Sequence, residues 1–172
     1  MECPRWGGLA LERYYGWGSF AERLLVPTEN THPLGPIDPA DAGRWCAVHV
    51  CLVPYGGLHA VGLQPGETVL VSGVTGNYGS AGVATALAMG AGAVVAPGRN
   101  AAMLAELEKR FGARVRTVEL TGEEDTERMR AAAGPVDLVL DLLPPSAPAS
   151  AVRSAAMAVR KYGRFHLTVL RP

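Results

Sequence analysis

The chain has 172 residues, enough for one full domain or for one domain with a piece of another. Its 16 basic and 16 acidic residues cancel, which gives no reason to expect nucleic acid or an acidic membrane surface as a partner. With 48% hydrophobic residues the chain can bury a core, and its three cysteines lack the spacing of a zinc knot or a secreted disulfide scaffold. The N-terminus lacks the pattern of a signal peptide and glycines interrupt the long uncharged runs, so we expect a cytoplasmic protein without a membrane span.

The first 40 residues predict a connecting region more than a folded core. One short apolar strand is expected at Leu24–Val26. Prolines follow at Pro27, Pro33, Pro36 and Pro39, and prolines spaced in this way are typical of a linker. We therefore expect a boundary close behind the last of them, with a folded domain after it.

Residues 41 to 62 predict helix, with Asp38 or Asp41 as the N-cap. Pro54 interrupts this segment, because proline removes a helical hydrogen bond, and a pair of glycines follows it directly. We therefore expect either two short helices or one helix with a sharp kink.

Cysteines and histidines in the same segment raise the question of a metal site. Cys46 and His49 are three residues apart and can share one helical face. No carboxylate or second Cys/His pair completes a tetrahedral set nearby in the sequence. Buried cysteines and a hydrogen-bonded histidine are therefore the favoured interpretation, and no metal site is predicted.

The stretch from 67 to 90 predicts a strand, a glycine turn and a helix. The apolar run Val69–Val71 is typical of a strand buried on both faces of a parallel sheet. Gly73 and Gly76 would let the chain turn sharply and bring backbone N–H groups close to a pyrophosphate. Gly79 would let the helix lie close against the sheet. The motif predicts a phosphate-binding turn, with a tight turn that binds nothing as the alternative.

Strands and helices then alternate to the end of the chain. The expected strands are 93–96, 113–120, 136–143 and 164–170, and the expected helices are 100–111, one opened by a capping box at Thr121 and Glu124, and 147–161. Charged side chains place the strand 113–120 at a sheet edge, and the apolar strand 136–143 favours the centre. The elements predict an α/β fold, a Rossmann-like doubly wound parallel sheet in the order 3-2-1-4-5 with the sixth strand missing.

The end of the second strand selects between NAD and NADP in such a fold, because the residue about 20 positions past the last glycine faces the adenosine ribose. An acidic residue there would bind the ribose 2′-hydroxyl and repel a 2′-phosphate. Arg99 occupies this position, and a guanidinium binds phosphate through charge-assisted hydrogen bonds. We expect NADP(H) rather than NAD(H), with an ordinary solvated charge as the alternative interpretation of Arg99.

The run QPGETVLVSGVTGNYGSAGVATALAMGAGAVVAPGRN resembles the cofactor domain of the medium-chain dehydrogenase/reductase superfamily, which includes alcohol dehydrogenases and quinone oxidoreductases. VPYGGLHAVGL before it, and GPVDLVLDLLPP and KYGRFHLTVL after it, are similar to the family's flanking segments. GSFAERLLVP resembles the last part of the family's catalytic domain. The resemblance implies a remnant of a GroES-like catalytic domain and linker at 1–40. It implies an NAD(P)-binding Rossmann domain with a leading helical segment at 41–172, incomplete at its C-terminus.

By this resemblance, the pyrophosphate of the cofactor would lie on the glycine turn and the 2′-phosphate at the end of the second strand. The implied cofactor-binding residues are Gly73, Thr75, Gly76, Asn77, Tyr78, Gly79, Arg99 and Asn100. Leu142 and Leu143 would border the cofactor, and the chain near Leu170 would approach the nicotinamide. The sequence names no catalytic residue.

Zinc is not supported by the residues that match the family. In some zinc-dependent members a cysteine ligand lies six residues before the tyrosine of a T-x-Y segment. Counting back from Tyr55 reaches His49, and Val53 stands at the threonine position.

The family's reaction would be hydride transfer between NADP(H) and a carbonyl, alcohol or enone, with small-molecule partners and the option of a homo-oligomer. Two hypotheses stay open: an oxidoreductase represented by a truncated chain, and a non-catalytic NADP(H)-binding fragment or pseudoenzyme. A short-chain dehydrogenase is excluded because the sequence has no Y-x-x-x-K pair.

Overall fold

A computed structural model describes residues 22–23, 25–26, 28 and 31–168. The chain divides into two compact units, Met1–Ala42 and Gly43–Pro172. In the first unit, a 3-10 turn at Pro39–Asp41 is capped by the Asp38 carboxylate, which accepts the N–H of Ala40 at 2.8 Å. The strand predicted at 24–26 begins outside the described residues. The interpretation of the first 40 residues as a catalytic-domain remnant stays a prediction.

The first long helix, α1, runs without a break over Ala42–Ala60, so the prediction of two short helices is wrong. Pro54 lies inside it and is buried. Gly57 does not end the helix but brings it against the sheet. A Cβ at Gly57 would lie 2.8 Å from the His166 ring and 2.9 Å from a Leu140 methyl group. The packing of α1 on the sheet therefore outweighs the local helix-breaking preference of proline and glycine.

The rest of the described chain alternates between strands and helices. The elements are β1 Thr68–Ser72, α2 Asn77–Ala88, β2 Ala93–Gly98, α3 Ala101–Phe111, a 3-10 turn Gly112–Arg114, β3 Val115–Glu119, α4 Asp125–Ala133, β4 Val136–Asp141, α5 Ala149–Ala158 and β5 Val159–Leu167. All strand pairs are parallel, and the order is β3-β2-β1-β4-β5. The predicted fold class and strand order are confirmed.

Two apolar clusters cover the two faces of the sheet, which explains the unbroken apolar runs of β1 and β4. Val69 and Val71 belong to the cluster under α1, α2 and α3, whereas Leu70 between them belongs to the cluster under α4 and α5. Successive side chains of a strand point to opposite faces, so both faces of β1 are buried. As its charges predicted, β3 lies at an edge, with Arg116 and Glu119 exposed.

The start of α4 differs from the predicted capping box. Glu124 has a left-handed backbone with φ 53° and makes no side-chain cap. Instead, the Asp125 carboxylate accepts the N–H groups of Thr121 at 3.0 Å and Gly122 at 3.1 Å. The loop before α4 is thus closed by the first residue of the helix, not by its N-cap.

The last strand starts earlier than expected and carries an irregularity. Val136 of β4 pairs with Val159, but Leu138 already pairs with Arg164, so several residues of β5 bulge out of the register. Within this bulge Tyr162 has φ 62° and is 87% exposed. Residues 169–172 lie outside the described part.

Ion pairs join the amino ends of the central strands. Arg164 pairs with Glu67, and Arg160 donates to the Asp137 carboxylate at 2.5 Å. Burial raises the pKa of Asp137, but the N–H of Thr68 at 2.8 Å and the two arginines outweigh it and hold this pKa below its ordinary value. These charges lie at the opposite end of the sheet from the site described below. None of the helices among the described residues is both long enough and apolar enough to cross a bilayer.

Candidate functional site

A cavity of about 430 Å³ lies where the parallel strands end at their carboxyl edge. It is lined by the loops that follow the first four strands and by the two helices α4 and α5. Its residues are Ser72, Gly73, Thr75, Gly76, Asn77, Tyr78, Gly79, Pro97, Gly98, Arg99, Leu120, Asp125, Met129, Leu142, Leu143, Pro144, Ala151, Ser154 and Ala155. In open α/β sheets this edge is where ligands bind.

Two glycines give the loop between β1 and α2 its shape. Gly73 has φ +78°, which favours glycine, and a Cβ there would lie 3.0 Å from the backbone oxygen of Leu142. At Gly79, in the first turn of α2, a Cβ would lie 1.9 Å from the Gly73 oxygen. No side chain fits into that space. The prediction that Gly79 permits a close approach agrees with this geometry, although the closest partner is the turn itself.

Gly76 differs from these two glycines in its geometry. Its backbone is extended, with φ −100° and ψ 171°, and a Cβ there would meet only the Gly73 oxygen, at an ordinary 3.5 Å. The turn therefore does not require glycine at this position, and the predicted approach of the Gly76 backbone to a pyrophosphate stays a prediction. Gly76 is exposed and lines the cavity, so a side chain at this position would occupy space next to a ligand without straining the backbone.

The N-terminus of α2 faces the cavity with backbone N–H groups. The first N–H groups of a helix have no carbonyl partner within the helix. In α2 these are the N–H groups of Asn77, Tyr78 and Gly79. The first turn of α2 contains no acidic residue, and its Gly76 N-cap offers no side-chain acceptor. Both the free N–H groups and the positive end of the helix dipole are thus available to an anion.

The loop after β2 supplies the cationic side chain of the cavity. Gly98 packs tightly, since a Cβ there would lie 2.9 Å from the Thr75 methyl group. Arg99 follows it, is exposed, and makes neither a hydrogen bond nor an ion pair with the part of the chain that the structure describes. Asn100 does not line the cavity. Its side chain accepts the N–H of Met103 at 3.1 Å and so caps α3.

Seven of the eight predicted cofactor-binding residues thus lie around one cavity, Asn100 being the exception. Leu142 and Leu143 line it as well, whereas Leu170 is outside the described residues. The roles of these residues toward a cofactor stay predictions.

Sequence reasoning missed the cavity's polar side chains Ser72, Asp125 and Ser154, and a histidine beside the cavity. Asp125, the first residue of α4, is buried, and the buried hydroxyl of Ser72 has no hydrogen-bond partner among the described residues. His49 of α1 lies 3.5 Å from the Tyr78 hydroxyl, with the two rings edge to face. The position of Asp125 and Ser72 next to strand ends was the available signal, because all strand ends of one direction meet at the same edge.

A metal site is a separate question from the cavity. Over residues 31–168 and the few described before them, no three His, Cys, Asp or Glu side chains come together as metal ligands do. Cys46 is exposed and Cys51 is partly buried, so the predicted burial of both cysteines is wrong for Cys46.

Solved structures provide the comparison with known proteins. Quinone oxidoreductase from Thermus thermophilus, solved free and with NADPH, is 32% identical, with a TM-score of 0.63 over 86% of this chain and 46% of that one. Alcohol dehydrogenase TADH from a Thermus species is 28% identical, with a TM-score of 0.59 over 68% of this chain and 33% of its own. The nucleotide-binding subdomain of the enoylreductase domain of PpsC from Mycobacterium tuberculosis is 27% identical, with a TM-score of 0.55 over 69% of this chain and 64% of that one.

The chain therefore spans half or less of the length of the two whole enzymes. No protein-family model matches the sequence, and no curated protein sequence matches it.

Proposed function

This chain belongs to the medium-chain dehydrogenase/reductase superfamily, and we propose that it binds NADP(H) in the cavity at the carboxyl edge of its sheet. One observation carries the proposal: the same cavity joins the free N–H groups of the α2 N-terminus to the unpaired guanidinium of Arg99. We further propose that this binding serves an oxidoreductase that transfers hydride between NADP(H) and a carbonyl, alcohol or enone.

The residues present fit the phosphates of a dinucleotide. At Gly79 the backbone leaves no room for a side chain, so the first turn of α2 lies directly against the end of β1. A pyrophosphate placed there would accept hydrogen bonds from Asn77 and Tyr78 N–H groups. Gly76 has no side chain to occupy the approach, and Leu142 and Leu143 form an apolar wall behind it.

Arg99 supports NADP(H) over NAD(H). Its guanidinium is exposed and uncommitted, and a 2′-phosphate adds two negative charges that a fork of N–H donors binds well. The neighbouring Asn100 side chain accepts the N–H of Met103 and caps α3. Arg99 is therefore the group that distinguishes NADP(H) from NAD(H). The neighbour from Thermus thermophilus was solved with NADPH, which agrees with this preference.

When bound, the nicotinamide ring would supply or accept the hydride. The residues of this chain bind the phosphates, orient the cofactor along the sheet edge and shield one side of it from water. A zinc ion has no part in the proposal. We propose turnover because the chain belongs to a family of oxidoreductases, and a non-catalytic NADP(H)-binding protein is the alternative. Self-association of the chain is a separate proposal.

The test is a titration of the full chain with NADPH and with NADH, followed by fluorescence. The expected result is tighter binding of NADPH, and Arg99→Ala should abolish the preference by weakening NADPH binding about tenfold to a hundredfold, the range for a hydrogen bond to a charged group. Arg116→Ala, an exposed arginine of β3 away from the cavity, is the matched control and should change neither affinity. Equal affinities in the unmodified chain would contradict the NADP(H) assignment.

Turnover is measured separately, as NADPH oxidation with a panel of ketones, aldehydes and enones. Binding with turnover would support the oxidoreductase, and binding without any turnover would favour the non-catalytic alternative.

A further inference from the structure

One acidic side chain lies in a cavity that otherwise suits an anion. Asp125 opens α4, is only 8% exposed, and lines the same cavity as Arg99. A carboxylate close to a polyanionic ligand repels it, and low polarity strengthens this repulsion. Asp125 is therefore expected to face a part of the ligand that carries no negative charge.

The carboxylate is held in place but keeps the capacity to accept more hydrogen bonds. One oxygen accepts the N–H of Thr121 at 3.0 Å and the other accepts that of Gly122 at 3.1 Å. An ionised carboxylate has about four acceptor positions, so two remain. Arg128 forms a long ion pair with this carboxylate at 3.9 Å, and the same guanidinium nitrogen donates at 2.9 Å to both the backbone oxygen of Glu119 and the Thr121 hydroxyl.

The wall beside Asp125 consists of apolar side chains and one hydroxyl, that of Ser154. Met129, one turn further along α4, is 1% exposed, and Ala155 of α5 is 2% exposed. Leu120 completes this part of the lining. Phosphates do not suit such a wall, whereas the flat face of a nucleobase does. The cavity thus has a cationic end at α2 and Arg99, and an apolar end that carries one fixed acceptor.

We propose that Asp125 is a specificity-determining residue that accepts a hydrogen bond from the exocyclic amino group of the adenine base. The proposal rests on the proposed function, because it assumes a dinucleotide whose phosphates lie at the other end of the cavity. A base whose 6-amino group donates to this carboxylate is bound tightly. A base without that donor is bound more weakly, because it leaves a buried carboxylate oxygen of Asp125 without a hydrogen bond.

The test compares NADPH with its purine analogue, which lacks only the 6-amino group, on the full chain. The unmodified chain should bind NADPH roughly tenfold to a hundredfold more tightly than the analogue, the range for a charge-assisted hydrogen bond. In Asp125→Asn, which keeps an acceptor but loses the charge, the ratio should fall to within a few-fold. The ratio is the readout, because charge repulsion and any loss of stability affect both ligands alike. Glu123→Gln, an exposed acid of the same loop, should leave the ratio unchanged.

Three results would overturn the inference. Equal affinity for NADPH and the analogue in the unmodified chain would assign Asp125 to loop closure alone. An unchanged ratio in Asp125→Asn, with the unliganded melting temperature confirming the fold, would assign the discrimination to other residues. Binding of neither ligand would overturn the proposed function together with this inference, so the two failures are distinguishable.

Discussion

The glycine turn makes a sharp prediction, because Gly79 and Gly76 tolerate a methyl group very differently. In Gly79→Ala the new Cβ would lie 1.9 Å from the Gly73 oxygen and 2.3 Å from the Gly73 carbonyl carbon. Carbon atoms in proteins normally stay 3.5 Å or more apart, so the clash requires a shift of more than about 1 Å. Both partners are backbone atoms, and no side-chain rotation relieves the contact. We expect Gly79→Ala to lower the free energy of unfolding by at least about 2 kcal/mol, after about 1 kcal/mol of gain from alanine's helix propensity.

Gly76→Ala is the contrasting substitution in the same turn. Its φ of −100° suits any residue, and the nearest atom to the new Cβ would lie 3.5 Å away. We expect a loss below about 1 kcal/mol, because alanine is a poorer N-cap than glycine. NADPH affinity should nevertheless fall, since the methyl group enters the lining of the cavity.

The assay is equilibrium denaturation of the full chain, monitored by circular dichroism, for both variants. Gly56→Ala serves as the control, because this helical glycine of α1 has no atom within 4 Å of a Cβ and should show the propensity gain alone. Unchanged stability in Gly79→Ala, or an equally large loss in Gly76→Ala, would refute the assignment of close approach to Gly79 and of an open position to Gly76.

Two further predictions concern the opposite end of the sheet. Tyr162→Gly should raise the free energy of unfolding by up to about 1 kcal/mol, because a left-handed φ of 62° costs a side-chain-bearing residue about 1–2 kcal/mol. Little is lost with the ring, which is exposed and lies over the Lys161 ammonium in a cation–π contact. A denaturant midpoint that falls in this variant would disprove the strain. The lowered pKa of Asp137 means that its stabilising contribution is fully present above the pKa of the unfolded chain, about 3.9, and is lost as the pH falls through the still lower folded value. Asp137→Asn should therefore have a lower free energy of unfolding than the unmodified chain at neutral pH, and it should lose less of it between pH 5 and pH 2. Parallel pH profiles of the free energy of unfolding for the two proteins would contradict this assignment.

Local patterns predicted the elements well where one physical requirement dominated. Leu70 and its neighbouring valines had to be buried on both sides, and they form a central strand. The prediction failed where residues distant in sequence compete with local preference. Pro54 and the glycines after it predicted either two short helices or one kinked helix, and the first alternative is wrong because contacts with the sheet keep the helix continuous.

The sequence by itself determined the fold class and the order of the strands, because burial patterns are properties of short stretches. The glycine spacing predicted a phosphate-binding turn, and that role stays a prediction. Only the tertiary structure decided which groups share the cavity. Asp125 follows a different strand from Arg99, and both meet the glycine turn because parallel strands end at one edge. It also showed that the close backbone contact at Gly79 leaves no room for a side chain, whereas the backbone at Gly76 leaves room for one. Such distinctions depend on distances between atoms far apart in the chain, which no spacing in the sequence encodes.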